Sequence, residues 1–307
     1  MANAPIVLFV YNRADHFIKT YNALSQCPEA VDSDLYIFSD GSKNEKSLEG
    51  VQAVRAAARE IENENKFKRV FIIESPENKG LAKSVINGVT SVIKEYGKVI
   101  VVEDDCQVSP YFLKFMNNCL DYFESNKKIG AVTGYAPPVE LPKDYGEDIF
   151  TAYRSCSWTW GTWADRWENI DWDLKDFKAM CKSTQFIKKL NSNGTDRFIR
   201  LYRQTKGNGS SWSVRFGAHL VKNNMVTVYP RYSYVQNIGC DESGVHSKSE
   251  DASLVRVDIS KAVENPCIRE VELNNSIQKI LKKFYSGSLV SRVKRAAATI
   301  IIVIRSV

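Results

Sequence analysis

Short apolar runs alternate with amphipathic helical patterns along the first third of the chain, and this alternation limits the possible folds. The runs cover residues 5–11, 35–38, 69–73 and 99–102, and the helical patterns cover residues 17–24, 47–61 and 81–96. Continuous apolar runs are typical of parallel strands that are buried on both faces. A strand–helix rhythm of this kind predicts an α/β fold, with a mostly parallel central sheet flanked by helices.

Polar residues follow three of these predicted strands at the point where each one ends. They are Asn12-Arg13, Asp40-Gly41 and Glu103-Asp104-Asp105. Open α/β sheets bind ligands beyond the carboxyl ends of their strands. We therefore expect these residues to meet at one edge of the sheet and to form a ligand site.

Glu103, Asp104 and Asp105 are three adjacent carboxylates at the end of the apolar run Val99-Ile100-Val101-Val102. Such a group is costly at the mouth of a buried strand because like charges repel there. A divalent cation removes that cost, and oxygen ligands suit Mg²⁺ or Mn²⁺, which in turn bind diphosphates. The alternative is a solvated acidic loop, but the position after a buried strand favours a metal and diphosphate site.

Other residues near these strand ends suit a nucleotide. Asp40 could start a turn, or its carboxylate could accept the imide N–H of uracil, while Arg13 could contact a phosphate or a carbonyl. Gly80 opens a predicted helix, and free N–H groups at a helix start attract anions. Lys79 and Lys83 lie in position to approach a diphosphate, or else they are solvated lysines of a first turn.

A glycine-containing loop follows late in the chain, at residues 237–246. It contains His246, a candidate metal or phosphate ligand in an acid-containing loop. Between the two parts lies an aromatic segment with Trp158, Trp160, Trp163 and Trp167. These rings could line a sugar-binding groove, but core packing is the better expectation for each one.

The bulk composition narrows the class of protein. A net charge of +6 suits a phosphate-bearing ligand or an anionic surface but does not indicate a nucleic-acid binder. Seven cysteines without a CxxC pair favour a reducing compartment, and the N-terminal residues lack signal-peptide features. We therefore expect a cytoplasmic protein. Residues 288–307 are basic and apolar, which predicts either a helix on an anionic inner-membrane surface or one packed on the core.

Seven segments together resemble inverting type A (GT-A) glycosyltransferases, and they span roughly residues 5–247. The resemblance is to the N-acetylglucosaminyltransferase I family and to related bacterial enzymes of capsule and lipopolysaccharide synthesis. The segments are IVLFVYNR, FSDGS, NKGLAKSVINGV, VIVVEDDCQVSPYFL, WTWGTWADRW, SSWSVRF and YPRYSYVQNIGCDESGVHS.

The resemblance implies a GT-A-like fold and assigns a role to each matching residue. Asp105 would ligate Mn²⁺, Asp104 would contact ribose and Glu103 the donor sugar. Asp40 would read uracil, Arg13 would belong to the nucleotide site, and His246 would close over the diphosphate. We expect one fused catalytic domain over residues 1–270, because the sequence shows no internal repeat and no strong linker. It would consist of a nucleotide-sugar half (1–135) and an acceptor half (136–270), followed by a helical tail (271–307).

The resemblance fails at one position that matters for catalysis. The animal enzymes place their general base in a Trp-Asp-Asp segment, but this chain has Ser213 there. A serine hydroxyl is a poor proton acceptor near neutral pH. The base is therefore another carboxylate or is supplied differently; the candidates are Asp165, Glu168, Asp241 and Glu242.

These observations predict a metal-dependent glycosyltransferase that moves a hexose or N-acetylhexosamine. The donor is expected to be a UDP-sugar, and the acceptor a hydroxyl of a glycan or a lipid-linked glycan in bacterial surface polysaccharide synthesis. The sequence leaves two alternatives open: a nucleotidyltransferase and a non-catalytic nucleotide-sugar binder. The first would typically show a Gly-rich basic loop after the first strand, which Tyr11-Asn12-Arg13 does not provide.

Overall fold

A computed structural model describes residues 2–207, 211–239 and 257–306. The strands are β1 (Ile6–Val10), β2 (Asp34–Ser39), β3 (Arg69–Glu74), β4 (Lys98–Glu103), β5 (Cys106–Val108), β6 (Ile129–Thr133), β7 (Ile149–Ala152), β8 (Thr159–Trp163), β9 (Val226–Pro230) and β10 (Val235–Asn237). The helices are α1 (Ala14–Ser25), α2 (Glu45–Ile61), α3 (Leu81–Tyr96), α4 (Phe112–Tyr122), α5 (Ala164–Trp167), α6 (Phe177–Lys182), α7 (Thr184–Leu190), α8 (Arg197–Thr205), α9 (Trp212–Lys222), α10 (Asn275–Ser286) and α11 (Leu289–Ser306), with short 3₁₀ helices at Pro28–Asp32 and Ile259–Lys261.

The central sheet has eight strands in the order β3-β2-β1-β4-β8-β6-β9-β7. The first four strands are mutually parallel, and β1 pairs with both β2 and β4. Every residue of β1 is buried, as its unbroken apolar run predicts. Among the described strand pairings of this sheet, four are parallel and three antiparallel. The predicted fold class, α/β with a mostly parallel sheet flanked by helices, is confirmed.

Strand β8 comes from the aromatic segment and runs antiparallel between β4 and β6. Its register places Trp163 opposite Lys98 and Thr159 opposite Val102. The start of β8 therefore lies at the carboxyl-end edge of β4, and its end lies at the opposite edge. Through β8, strands from both parts of the chain form one continuous sheet.

The tryptophan side chains of β8 and its neighbours pack in the core. The Trp160 ring stacks on Trp167 at 5.5 Å and on Trp212 at 4.8 Å between ring centroids. The indole N–H of Trp163 donates to the Leu120 carbonyl at 3.0 Å. Trp158, just before β8, is half-buried at the carboxyl-end edge of β4, and its ring meets Tyr135 edge-on at 4.6 Å. Of the four rings considered for an acceptor groove, Trp158 has the position for it.

The last helices differ in how they meet the rest of the protein. Helix α10 buries Ile277 and Leu281 in the main hydrophobic cluster, so part of the predicted tail belongs to the core. Helix α11 contacts α6 and α8 and buries Ile302 between them in a smaller cluster. No helix in the described part of the chain is long and apolar enough to cross a membrane. The predicted domain boundaries stay a prediction.

A largely buried ion pair lies between the core and α10. The Arg154 guanidinium contacts the Asp196 carboxylate at 3.2 Å and lies over the Tyr285 ring of α10 at 4.0 Å. Burial alone would raise the pKa of Asp196, but Arg154, Arg197 and Arg200 outweigh it and lower the pKa to about 2. The charged form of Asp196 therefore stabilises the folded state.

This ion pair predicts a specific acid sensitivity. Because the folded-state pKa of Asp196 lies below its unfolded value, its stabilisation is full above about pH 4 and is lost as the pH falls toward 2. Asp196→Asn should lower the free energy of unfolding at pH 7 by about 2 kcal/mol and should flatten its decline between those pH values. Denaturant unfolding across pH measures this effect. Asp144→Asn, at an exposed position, is the control; equal pH profiles for the two variants would contradict the assignment.

Candidate active site

The acidic triplet lies where β4 ends and the chain turns into β5. Glu103 is the last residue of β4, and Asp104 and Asp105 form the turn. Three separate segments hold the backbone of this turn. The Trp158 carbonyl accepts from Glu103 N–H at 3.2 Å, and Ile238 N–H donates to the Asp105 carbonyl at 2.8 Å. The Thr20 hydroxyl donates to the Asp104 carbonyl at 2.8 Å.

Arg13, just after β1, joins two carboxylates of the triplet. Its Nη2 donates to Asp104 Oδ1 and to Asp105 Oδ2, the latter at 2.9 Å. Burial lowers the pKa of Arg13, but the two carboxylates outweigh it and raise the pKa above its usual value. The other terminal nitrogen, Nη1, is buried and has no hydrogen-bond partner among the described residues. Arg13 therefore retains a donor for an incoming acceptor, such as a phosphate oxygen.

The triplet carries more negative charge than Arg13 can neutralise. Burial raises the pKa of Asp104 to about 6, although Arg13 opposes the shift. Burial, together with the charges of Asp105 and Asp104, raises the pKa of Glu103 well above its usual range. Raised carboxyl pKa values show that the site favours additional positive charge, whether protons or a cation.

The donor set at this turn fits a hard divalent cation. Asp104 and Asp105 present carboxylate oxygens that converge on a single Arg13 nitrogen. In residues 2–207, 211–239 and 257–306, no group of three or more His, Cys, Asp or Glu side chains is arranged to hold a metal. Mg²⁺ commonly binds through one or two carboxylates and takes its other ligands from phosphates and water. The site can therefore hold a cation together with a diphosphate. His246, the other predicted ligand, lies outside the described residues.

A short two-stranded sheet, β5 with β10, brings a late part of the chain to the triplet. Asn237, at the end of β10, donates from Nδ2 to Asp105 Oδ1 at 2.9 Å and accepts from Gly239 N–H at 2.9 Å. A Cβ on Gly239 would lie 2.2 Å from Asp105 Oδ2 and 2.9 Å from Arg13 Nη1. Asn237 thus orients Asp105, and the absence of a side chain at Gly239 leaves room for the Asp105 carboxylate. Both residues belong to the predicted loop at residues 237–246, but in that loop the sequence pattern identified only Asp241, Glu242 and His246 as site candidates.

Asp40 directly follows β2, and its carboxylate links the end of this strand to the start of α3. Its Oδ1 accepts from the backbone N–H groups of Gly41 and Lys79, each at 2.9 Å. Its Oδ2 accepts from Gly80 N–H at 2.9 Å and from Asn78 Nδ2 at 3.3 Å. A carboxylate accepts about four hydrogen bonds, so these partners fill it. The proposed contact with uracil stays a prediction.

The two lysines near α3 lie on the surface. Gly80, the residue before the helix, has a φ of 76°, which favours glycine. The side chains of Lys79 and Lys83 are exposed on either side of it. They are available to an anion at the start of α3, and their part in diphosphate binding stays a prediction.

Comparison with known proteins identifies the family of the chain. The model of glycosyl transferase family 2 matches residues 6–177, which is more than half of the chain. The chain belongs to glycosyl transferase family 2. This membership argues against the nucleotidyltransferase alternative. The narrower resemblance to the N-acetylglucosaminyltransferase I family stays a prediction.

Among solved structures, one match is the mannosyltransferase PcManGT from Pyrobaculum calidifontis in complex with GDP-Man and Mn²⁺. It is 13% identical, with a TM-score of 0.38, and the alignment covers 59% of this chain. The alignment covers 51% of the mannosyltransferase, about half of its length. No curated protein matches the chain at a significant level.

Two candidate bases of this family 2 glycosyltransferase lie at the wrong edge of the sheet. Asp165 and Glu168 follow the end of β8, which pairs with the start of β4 at Lys98. The length of β4, about 17 Å at roughly 3.3 Å per residue, separates Asp165 from the triplet. Asp165 instead contacts Lys127 and Arg166, each at 2.6 Å. The structure corrects both assignments, because the antiparallel direction of β8 carries these carboxylates away.

Helix α9 begins with the residues that replace the expected Trp-Asp-Asp segment. Trp212 stacks on Trp160, whose partner in β4 is Val101, two residues before Glu103. The hydroxyl oxygens of Ser211 and Ser213 are 3.1 Å apart. This helix start therefore presents hydroxyls and no carboxylate. Of the four candidate bases, Asp241 and Glu242 remain, and both lie outside the described residues.

Proposed function

We propose that this family 2 glycosyltransferase moves a hexose or N-acetylhexosamine from a UDP-sugar to a glycan hydroxyl. The reaction depends on Mn²⁺ or Mg²⁺ and proceeds with inversion, in the synthesis of a bacterial surface polysaccharide. One observation carries the proposal: Arg13 bridges Asp104 and Asp105 of the largely buried triplet, three carboxylates face this single guanidinium, and its Nη1 has no partner among the described residues. The resemblance to GT-A enzymes supports UDP as the nucleotide.

Each residue of the triplet has a separate part in donor binding. Asp105, oriented by Asn237, would hold the cation, while Asp104 faces ribose and Glu103 the donor sugar. The cation, when bound, would stabilise the charge that develops on the departing diphosphate. Arg13 adds a hydrogen-bond donor to the same region through Nη1. Lys79 and Lys83 supply further positive charge at the exposed start of α3.

The acceptor hydroxyl needs a group that takes its proton. With Asp165 and Glu168 at the far edge, we assign this role to Asp241 or Glu242, in the segment that follows Gly239. A Cβ added to Gly239 would lie 2.2 Å from Asp105 Oδ2, so Gly239 lies beside the proposed cation ligand. Asp241 follows Gly239 by two residues, which supports a base close to the donor. His246, in the same segment, is the proposed additional ligand to the metal or the diphosphate.

A donor screen tests the function. Purified protein is incubated with UDP- and GDP-sugars, with and without Mn²⁺, and release of the nucleoside diphosphate is measured. We expect slow UDP release that requires the metal and stops with EDTA. Release of GDP alone would show that the donor nucleotide carries guanine, and it would overturn the assignment of a UDP-sugar donor. Metal-dependent binding without turnover in the presence of glycan acceptors would favour the non-catalytic binder. Absence of both binding and turnover with every nucleotide sugar would contradict the proposal.

We also propose that the acceptor is lipid-linked and that transfer takes place at the cytoplasmic face of a membrane. The basic, apolar residues 288–307 support this location.

A further inference from the structure

Helix α11 presents an apolar surface away from the protein. A helix advances by about 100° per residue, so the residues that contact the core, around Ile302, define an inner side. The residues opposite are exposed and apolar, and they extend over roughly 140° of the helix surface. This outer face consists of Leu289, Val290, Val293, Ala296, Ala297, Ile300, Ile301 and Ile304.

The exposure of this face is unusually high for large apolar side chains. Ile304 is 73% exposed, Leu289 71% and Ile300 60%. On the other side of the helix, Ile302 is 7% exposed and packs between α6 and α8. The helix therefore packs on the protein along one side, and its other side has no partner among the residues that the structure describes. Contiguous exposed apolar surface of this kind marks an interaction site.

Basic residues border the outer face on both sides. At about 100° per residue, Arg292 lies along one border and Lys294 and Arg305 along the other. All three are exposed. Residues 275–307 contain seven Lys and Arg and no Asp or Glu. The rest of the chain has 35 basic and 36 acidic residues, so this segment carries the whole net positive charge of the protein.

We propose that α11 lies in the headgroup layer of an anionic lipid membrane, with its outer face in the acyl boundary. An apolar stripe bordered by lysine and arginine is the pattern of helices that lie in this layer. Basic residues at the border attract anionic headgroups. A second copy of the chain fits less well, because it would bring two strongly positive surfaces together. The inference rests on α11 alone and does not depend on the proposed transferase activity.

Co-sedimentation of the full-length protein with lipid vesicles tests the inference. We expect binding to vesicles that contain phosphatidylglycerol, weak binding to phosphatidylcholine alone, and a decrease with salt. The double variant Val293→Asp with Ile300→Asp should weaken binding at least about tenfold. This lower bound counts the loss of only one buried methylene group at each position. The matched control, Val31→Asp with Leu48→Asp, changes two exposed apolar residues elsewhere and should bind normally.

A second pair of variants tests the basic border. The double variant Arg292→Glu with Lys294→Glu should weaken binding to phosphatidylglycerol vesicles by at least about 25-fold. Each basic residue near an anionic surface changes the affinity roughly fivefold, and two such residues are lost. Lys66→Glu with Lys143→Glu makes the same change in net charge at exposed positions elsewhere and should have little effect.

Thermal unfolding shows whether each variant is folded. UDP release, measured on the same variants, tests the proposed transferase function independently of vesicle binding. Equal vesicle binding by all variants, or no binding by the native protein, would overturn the inference. So would a stable dimer in sedimentation velocity that the α11 variants convert to monomer, because the outer face would then bind a second copy.

Discussion

Asp105→Ala is expected to lower metal-dependent UDP release by about a thousandfold, because it removes the proposed cation ligand and with it the charge that stabilises the leaving diphosphate. Asp105→Asn should behave similarly. It keeps the size of the side chain and an oxygen facing Asn237 but loses the negative charge. Manganese binding, measured by titration calorimetry with UDP present, should be lost in both variants together with turnover.

The stability of these variants separates a role in metal binding from a role in folding. The Asp105 charge raises the pKa values of Glu103 and Asp104, so its removal relieves repulsion in a buried site. For Asp105→Asn, which keeps an oxygen facing Asn237, we therefore expect a melting temperature equal to or above that of the native protein without metal. Asp105→Ala also loses its contacts with Arg13 and Asn237 and should melt somewhat lower. Asp144→Asn, at an exposed position, should retain full activity. Unchanged manganese affinity in Asp105→Ala would refute the assigned role.

Strands β1 and β4 could be predicted because their central residues form unbroken apolar runs. β1 and the core of β4 are buried on both faces, and only continuous apolar runs satisfy that environment. Strand β8 was not predicted. Its sequence, TWGTW, mixes threonine and glycine with tryptophan, and its burial depends on Trp212 and Phe216 from α9, which are distant in sequence.

The donor side of the site was predictable for a related reason. Arg13, Asp40 and the triplet follow parallel strands, and parallel strands deliver their ends to one edge. The direction of β8 explains why two of the predicted catalytic bases were wrong. Sequence pattern cannot reveal that β8 runs antiparallel to β4, and this direction places Asp165 and Glu168 at the far edge. Asn237 was missed because β5 and β10 are three residues each, and Asn237 meets Asp105 across 132 residues of sequence.

Gly239→Ala should reduce metal-dependent UDP release by about a hundredfold, since displacement of a catalytic group by about 1 Å has an effect of that size. The added methyl group would lie 2.2 Å from Asp105 Oδ2 and 2.9 Å from Arg13 Nη1. The Asp105 carboxylate must therefore move, or the backbone beyond β10 must shift. Asn237, which holds both Asp105 and the Gly239 N–H, resists either movement.

The matched control is Gly146→Ala, whose added methyl group meets nothing within 4 Å. This variant should be fully active. A higher manganese concentration should partly restore Gly239→Ala, because a displaced Asp105 still binds the cation, only more weakly, whereas no concentration should restore Asp105→Ala. Full activity of Gly239→Ala at low manganese would mean that the backbone at Gly239 moves away without cost. The contact between this part of the chain and Asp105 would then have no part in positioning the metal ligand.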